Sequence, residues 1–562
     1  MTSLLSHLVS LAFFISFILL FSSASSNEER KVYIVYMGAQ HSSQYPTYEL
    51  HLNLLKEIFV NCSPSESLVY SYQRSFSGFA AKLSIDEAEK LNDMEGIVSV
   101  FPSKTLKLRT TRSWDFLNFS QRVNRNPTLE SDIIIGMIDT GIWPESKSFS
   151  GQGLRPPPRK WKGACVNMTC NNLGDYMFSE PSPRDFQGHG THTASIAAGR
   201  TVSHASLYGL AKGMARGAVP SARLAVYKVC WWFGCTDQDI LAAFDDAISD
   251  GVDIISLSVA YAIAADYFQD SIAIGAFHAM ANGILTSTAA GNAGPYRGTV
   301  SNVAPWTLVA AASSIDRHII DKVVTGNHVS TLGASVNTFA TKNRDDHPLI
   351  YMQGNATILP GDCTALPDIN MVKGKIVLCK YFYDEIFTKP MYPSARQDEL
   401  SYGAGQLNPV KAVDPGLVYD AGASDYVQML CNSAYNETMI KMVTGDASSC
   451  SASSKGTVRD LNYPSMALHV QSGKAFAAKF LRTVTNVGGA RRCRYKAEVW
   501  ADHRLNVAVN PSKLKFSELK EKRQFTVSVS GGPLPGNSTA PATVIWSDGE
   551  HQVRSVMVVY TD

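Results

Sequence analysis

Between residues 132 and 314 the chain alternates short apolar runs with longer stretches of helical spacing. DIIIGMID at 132 to 139, RLAVYKVC at 223 to 230, VDIISLSVA at 252 to 260, ILTSTAA at 284 to 290 and TLVAAASS at 307 to 314 are rich in β-branched and other apolar residues. Near-continuous apolar runs of this length predict strands covered on both faces. THTASIAAG, DQDILAAFDDAISDG and DSIAIGAFHAMANG lie between them. Strands alternating with helices predict an α/β fold built on a doubly wound parallel sheet. In the helix expected at 237 to 250, Thr236 takes the N-cap place, Leu241, Phe244 and Ile248 form one stripe, and Gly251 ends it.

The pattern differs on either side of this block. Residues 31 to 109 carry the strand-like runs KVYIVYMG, SLVYSY, FAAKLS and IVSVF, and Ser84 with Glu87 has the capping-box spacing that opens the helix SIDEAEKLNDM. A small α+β module is expected there. From about 456 onward FLRTVTNVG, RYKAEVW, LNVAVN, QFTVSVS, ATVIWS and VRSVMVVYT recur with turn residues between them, which predicts an all-β sandwich. Between 315 and 455 the signal is weaker, and NMVKGKIVLC at 370 to 379 reads as one buried strand.

Composition narrows the class. A chain of 562 residues with 45% hydrophobic and 10% aromatic positions buries several cores and is not disordered. Lys and Arg number 51 against 49 Asp and Glu. That balance points to no nucleic-acid partner and no polybasic membrane contact. The apolar run from Leu8 to Phe21, followed by Ser22, Ser23, Ala24 and Ser25, is shorter than a membrane span and reads as a signal peptide over 1–25. Secretion makes structural disulfides the expected use of the ten cysteines. Cys165 with Cys170, Cys230 with Cys235, Cys363 with Cys379 and Cys431 with Cys450 are near-neighbour pairings, Cys62 and Cys493 are left over, and spacing alone does not fix connectivity. Asn-x-Ser/Thr sequons at Asn61, Asn118, Asn167, Asn355, Asn436 and Asn537 fit the same compartment.

The candidate chemistry gathers at strand ends. Asp139 closes the run IIIGMID and is followed by Thr140 and Gly141. The carboxyl edge of a parallel sheet is where sites are built. His189 stands between two glycines in GHGTHT, at the start of a small-residue helix, while His192 reads as a packing or capping residue. No carboxylate or third His follows at helix spacing, so no metal is expected there, and with no Asp-rich loop resembling a calcium site no cofactor is expected. Asn292 lies in TAAGNAGP directly after a strand, where its side-chain amide can donate to a developing oxyanion.

In this order these residues resemble the plant cucumisin-like subtilases, a family of subtilisin-like serine peptidases. DTGIWPES at 139 to 146, GHGTHTAS at 188 to 195 and AAGNAGP at 289 to 295 are similar to its signatures, and KVCW, YGAGQLNP, DPGLVYD and LNYPS to its connecting motifs. The resemblance spans nearly the whole chain. It implies an inhibitory propeptide over 26–109, a subtilisin-like peptidase domain over 110–455 with the remnant of a protease-associated insert at about 335–385, and a fibronectin-III-like domain over 456–562. It implies that Asp139 orients His189, that His189 is the general base, that Asn292 completes the oxyanion hole, and that Ser258, Val259 and Ala260 pair with a peptide or protein substrate. Ala260 stands where the family usually has Gly. The propeptide would be the chain's own intramolecular inhibitor, and the localisation extracellular, in cell wall or apoplast.

The nucleophile is missing from this pattern. The family carries its Ser in a Gly-Thr-Ser-Met motif, and no Gly-Thr-Ser occurs anywhere in the chain. GKIVLCKYFYDEIFTKP passes straight into MYPSARQDELSYGAGQLNP, where the resemblance places further strands and the nucleophile helix. Ser394, Ser401 and Ser465 lack the strand-to-helix context. The expectation is therefore a secreted serine-type endopeptidase by family, made as a zymogen and inactive as written. The alternative is a secreted, non-catalytic pseudoprotease that binds peptides or proteins. Removing a central helix and its strands should also strip cover from apolar strands.

Overall fold

The computed structural model describes residues 30–39, 47–59, 63–73, 76–103, 105–108, 114, 116–119, 123–154, 156–164, 182–294, 297–313, 315, 320–336, 347–351, 369–379, 402–450, 456–488 and 493–562. The expected signal peptide, Cys62, Cys165, Cys170, Cys363, and the sequon residues Asn61, Asn167 and Asn355 lie outside the described residues.

The N-terminal module runs β1 (Lys31–Ala39), α1 (Thr47–Ile58), β2 (Leu68–Tyr72), β3 (Phe76–Leu83), α2 (Ile85–Asn92) and β4 (Ser99–Pro102), with its sheet in the order β2-β3-β1-β4. The expected capping box is present. The Ser84 hydroxyl accepts from the Glu87 amide at 3.3 Å, and the Ser84 amide donates to Glu87 Oε2 at 2.9 Å. Val35, Phe79 and Ala81 face Leu54, Leu55 and Leu91 of the two helices. Strand alternation sends Ile34, Tyr36 and Ala80 to the opposite face, which therefore needs another partner.

The central domain supplies it. Its elements are β6 (Ile134–Asp139), α3 (His189–Ala198), β7 (Arg223–Lys228), β8 (Gly234–Thr236), α4 (Asp237–Asp250), β9 (Ile254–Leu257), β10 (Val259–Ala260), α5 (Ser271–Ala281), β11 (Leu285–Ala289) and β12 (Thr307–Ala310), preceded by β5 (Thr105–Leu108). Five strands form a parallel sheet in the order β12-β11-β9-β6-β7. Ile134, Ile138, Ile255 and Leu257 pack against Ile240, Phe244 and Ala276 of α4 and α5 on one face. Ile135 and Met137 pack against Ala194 and Ala198 of α3 on the other. Ile34, Tyr36, Tyr72 and Phe76 of the module cluster with Leu241 and Ala242 of α4 and Ile274 of α5, so the amphipathic helices that cover the sheet also dock the N-terminal module.

Two further helices, α6 (Ala423–Asn432) and α7 (Glu437–Thr444), add Tyr426, Leu430, Ile440 and Val443 to the central core. The C-terminal region is the expected sandwich: β13 (Met466–His469), β14 (Phe476–Asn486), β15 (Cys493–Ala501), β16 (Leu505–Asn510), β17 (Lys513–Phe516), β18 (Lys522–Gly531), β19 (Thr539–Ser547) and β20 (Gln552–Tyr560). One sheet runs β13-β20-β19-β15-β17; the other joins β14, β18 and β16 to the short strand Leu417–Val418. Trp546, Phe480, Phe516 and Phe525 fill the space between them. Disulfides join Cys230 to Cys235 and Cys431 to Cys450. Cys379 is also disulfide-bonded.

The small-residue helix has His189 as its first residue, after the Gly188 N-cap at φ 86°. Two local expectations are corrected. The run 252 to 260 breaks at Ser258, and its last two residues leave the parallel sheet to pair elsewhere. The run at 370 to 379 is not a buried strand: Ile376–Leu378 pairs only with Leu349–Tyr351 among the described residues, and Ile376 and Leu378 are half exposed. A two-stranded parallel sheet has too few neighbours to cover its side chains. The same shortage shows on the α3 side of the central sheet. Leu285 and Leu308, on β11 and β12, are 47% and 46% exposed.

Two measurements check this layout. Ile255→Ala, at a fully buried position, should cost about 2 to 5 kcal/mol in urea denaturation, whereas Leu308→Lys should stay within about 0.5 kcal/mol. Burial also lowers the His51 and His278 imidazoles from 6.5 to about 4. The unfolded chain therefore binds more protons than the folded one between those values, so stability is complete above pH 6.5 and is lost as the pH falls toward 4. Unfolding free energies from urea titrations across that window should fall by an amount on the order of 3 kcal/mol per histidine at the limit, and His51→Gln or His278→Gln should flatten the slope.

Candidate active site

The site stands at the carboxyl edge of the parallel sheet, where β6 ends in Asp139 and α3 begins with His189. Asp139 is 1% exposed, and its carboxylate is held by donors from its own surroundings. The His189 ring Nδ1 lies 2.7 Å from Oδ1, the Thr140 amide donates to the same oxygen at 2.7 Å, and the Thr193 hydroxyl donates to Oδ2 at 2.9 Å. Thr193 is one helical turn beyond His189 on α3, so a single rigid element carries both partners of the carboxylate. With Nδ1 turned to Asp139, the imidazole is held in the tautomer that leaves Nε2 as the basic nitrogen. That Nε2 is buried and has no hydrogen-bond partner among the described residues.

The two loops that bring these residues together meet glycine against glycine. Gly141 has φ 101°, and a Cβ there would lie 2.2 Å from the Pro183 carbonyl oxygen; a Cβ on Gly190 would lie 2.2 Å from the Gly141 carbonyl oxygen. No side chain fits at either place. Sequence reasoning found Asp139 and His189 but missed Asp185, which lies between them. Asp185 is 4% exposed and accepts from the Thr140 hydroxyl at 2.9 Å, the Gln187 amide at 3.0 Å, the Gly188 amide at 2.8 Å, and the Thr191 amide and hydroxyl at 2.8 and 2.6 Å. Burial pushes its carboxyl up, but the Thr191, Gly188 and Thr140 donors outweigh this and hold it below the ordinary carboxylate value. An Asp three residues before a glycine N-cap was the available signal.

The remaining predicted residues lie along the same edge. Asn292 is exposed on the loop after β11. Ser258 is the break between β9 and β10, and the buried pair Val259 and Ala260 forms β10. The groove beside β10 holds a strand of the chain itself: β5 pairs antiparallel with β10, Leu108 opposite Val259 and Lys107 opposite Ala260. On its other side β5 pairs antiparallel with β8, Leu106 opposite Cys235 and Thr105 opposite Thr236. The segment that follows the N-terminal module is thus the inner strand of a sheet whose outer strands belong to the central domain. Of the serines weighed as substitutes, Ser394 and Ser401 lie outside the described residues, and Ser465 is exposed just before β13 in the sandwich.

Residues 130–455 match the profile of the subtilase family, residues 32–109 that of peptidase inhibitor I9, and residues 460–559 that of a fibronectin type-III domain. The chain belongs to the subtilase family. Subtilisin-like protease SBT4.10 of Arabidopsis thaliana is 40% identical to it over 678 residues, covering 98% of this chain and 97% of the relative. Subtilisin-like protease SBT4.3 of the same plant is 36% identical over 727 residues, covering 99% and 98%. Both alignments are longer than the 562 residues of this subtilase, so stretches of each relative face no residue here. The N-terminal module is an inhibitor-type propeptide, and the fold is the mixed α/β subtilase domain followed by an all-β domain, as the sequence resemblance implied.

If Asp139 depends on its donors, Thr193→Val should cost about 1 to 3 kcal/mol in urea denaturation, since a nearly isosteric change leaves a buried carboxylate oxygen short of a donor.

Proposed function

We propose that this subtilase is a secreted, extracellular member of the serine-type endopeptidase family, organised as a zymogen and inactive in proteolysis as written. The observation that carries the reading is the state of His189. Its Nδ1 is engaged by Asp139, its Nε2 meets no hydroxyl among the described residues, and the chain contains no Gly-Thr-Ser. Asp139 and His189 would form the proton-handling half of a triad and Asn292 an oxyanion donor, with Ser258, Val259 and Ala260 as the substrate-pairing strand. In acyl transfer the base takes a proton from the attacking hydroxyl. Without that hydroxyl no acyl-enzyme forms, and in subtilisin itself loss of the nucleophile costs about a million-fold in turnover.

The domain boundaries fit this reading: a signal peptide over 1–25, a propeptide to residue 109, a peptidase domain over 110–455 with the remnant of an insert at about 335–385, and the β-domain from 456. The exposed apolar residues Leu285, Leu308, Ile376 and Leu378 support the loss of an internal segment that would have covered them. Its junction falls near Asp384 to Pro390, and a longer transcript from the same locus should carry the missing block. The groove favours a second reading, a non-catalytic peptide-binding module, because β5 shows that it still pairs with an extended strand. Among the described residues no helix is long and apolar enough to cross a membrane.

The purified chain should take up no fluorophosphonate label at any serine and should release no fluorophore from quenched peptides. Labelling of one serine, mapped by mass spectrometry and abolished by His189→Ala, would overturn the reading.

A further inference from the structure

We propose that Asp185 is the positioning residue of this site, the group that holds Asp139 and His189 in register with each other. The inference rests on the reading of Asp139 and His189 as a retained base pair. Asp139 belongs to β6 and His189 to α3, and they are 50 residues apart in the chain. Their side chains touch through one hydrogen bond, which by itself is too weak to fix two loops. Asp185 touches neither side chain of the pair. It grips what carries them.

One half of the grip is on the helix. The N-cap of α3 is Gly188, which has no side chain to satisfy the first amides, and Asp185 takes that role from outside by accepting from the amides of Gly188 and Thr191. The negative carboxylate also lies at the end of the helix where a charge of that sign is favoured. The other half is on the strand end. The Thr140 hydroxyl donates to Asp185 Oδ1 and accepts from the Gly190 amide at 2.6 Å, while the Thr140 amide donates to Asp139. Thr140 is thus a hinge pin with one residue of β6 on one side and the residue after His189 on the other. The Thr191 hydroxyl, which donates to Asp185 Oδ2, accepts from the Trp143 amide at 3.1 Å and ties in the loop beyond Gly141. Every donor around Asp185 needs an acceptor in return. An amide in its place would present N–H groups to amides and hydroxyls that are themselves donating. That makes Asp185→Asn a specific disruption, although its volume is unchanged.

The test reads the pair and needs no turnover. In the full-length wild-type chain, the His189 Nδ1 proton should give a slowly exchanging, strongly downfield NMR resonance, assigned by its loss in His189→Gln. Asp185→Asn should lose that resonance or speed its exchange by at least about tenfold, a change of roughly 1.4 kcal/mol. Thr140→Val, which cuts the link to the strand end and leaves the helix cap in place, should do the same with a smaller effect on melting. If both variants keep the resonance unchanged while melting earlier, Asp185 is only a structural cap and the inference fails. If Asp185→Asn does not fold, Thr140→Val alone decides in the same way. A wild-type chain without the resonance would sink the base-pair reading itself, and the inference with it.

Discussion

A carboxylate buried at the end of a parallel strand has to be surrounded by donors, and much of the site follows from meeting that demand. Asp139 is held almost out of solvent, where an uncompensated charge is costly. Its donors come from the residue that follows its strand and from two positions on one face of α3. To deliver them, the start of α3 must approach the turn after β6 to within backbone contact, which only glycine permits at Gly141 and Gly190. The short loop through Asp185 then closes the gap. The pairing of Asp139 with His189 follows from satisfying a buried polar group, and it is present although a partner for Nε2 is not found among the described residues.

The N-terminal module engages the central domain by two separate means. Side chains of its free sheet face, among them Tyr36, Tyr72 and Phe76, pack on α4 and α5, while the Tyr72 hydroxyl donates to the Gln238 carbonyl and the Gln73 and Phe76 amides donate to Asp245. Its trailing strand β5 is held by backbone pairing between β8 and β10. The first contact is broad and set by side chains; the second is narrow and, being backbone pairing, largely independent of sequence. Tyr36 and His278 make a buried hydrogen bond across the broad contact, so a histidine with lowered basicity sits at the seam of an inhibitory domain.

The uncovered surfaces have a consistent physical pattern. Exposed leucines on the α3 side of β11 and β12 and exposed aliphatic residues in the strand pair at 349–351 and 376–378 are residues of an interior type left at a surface. Large apolar patches on a soluble domain carry a cost in solubility and specificity. All of them precede, in the chain, the junction proposed near Asp384 to Pro390, and the relatives align over more residues than this chain possesses.

Much was legible in the order of residues alone. The apolar runs and helix stripes predicted the parallel sheet because burial on both faces dictates composition locally, and the capping box at Ser84 opened α2 where local hydrogen bonding said it would. Asp139 and His189 were visible because glycines and a strand end frame them. Less visible was whatever depends on distant chain segments. The break at Ser258 is decided by the competition between continuing a parallel sheet and pairing with β5, which lies far earlier in the chain, and the exposure of Ile376 depends on which strands are present to cover it. Asp185 stands three residues before a glycine N-cap, but its tie to Thr140 exists only once folding brings the two together. Residue types and local spacing set the elements and the chemistry available; only the tertiary structure decided which groups met, because hydrogen bonds and cover are supplied by neighbours in space that the chain's order does not name.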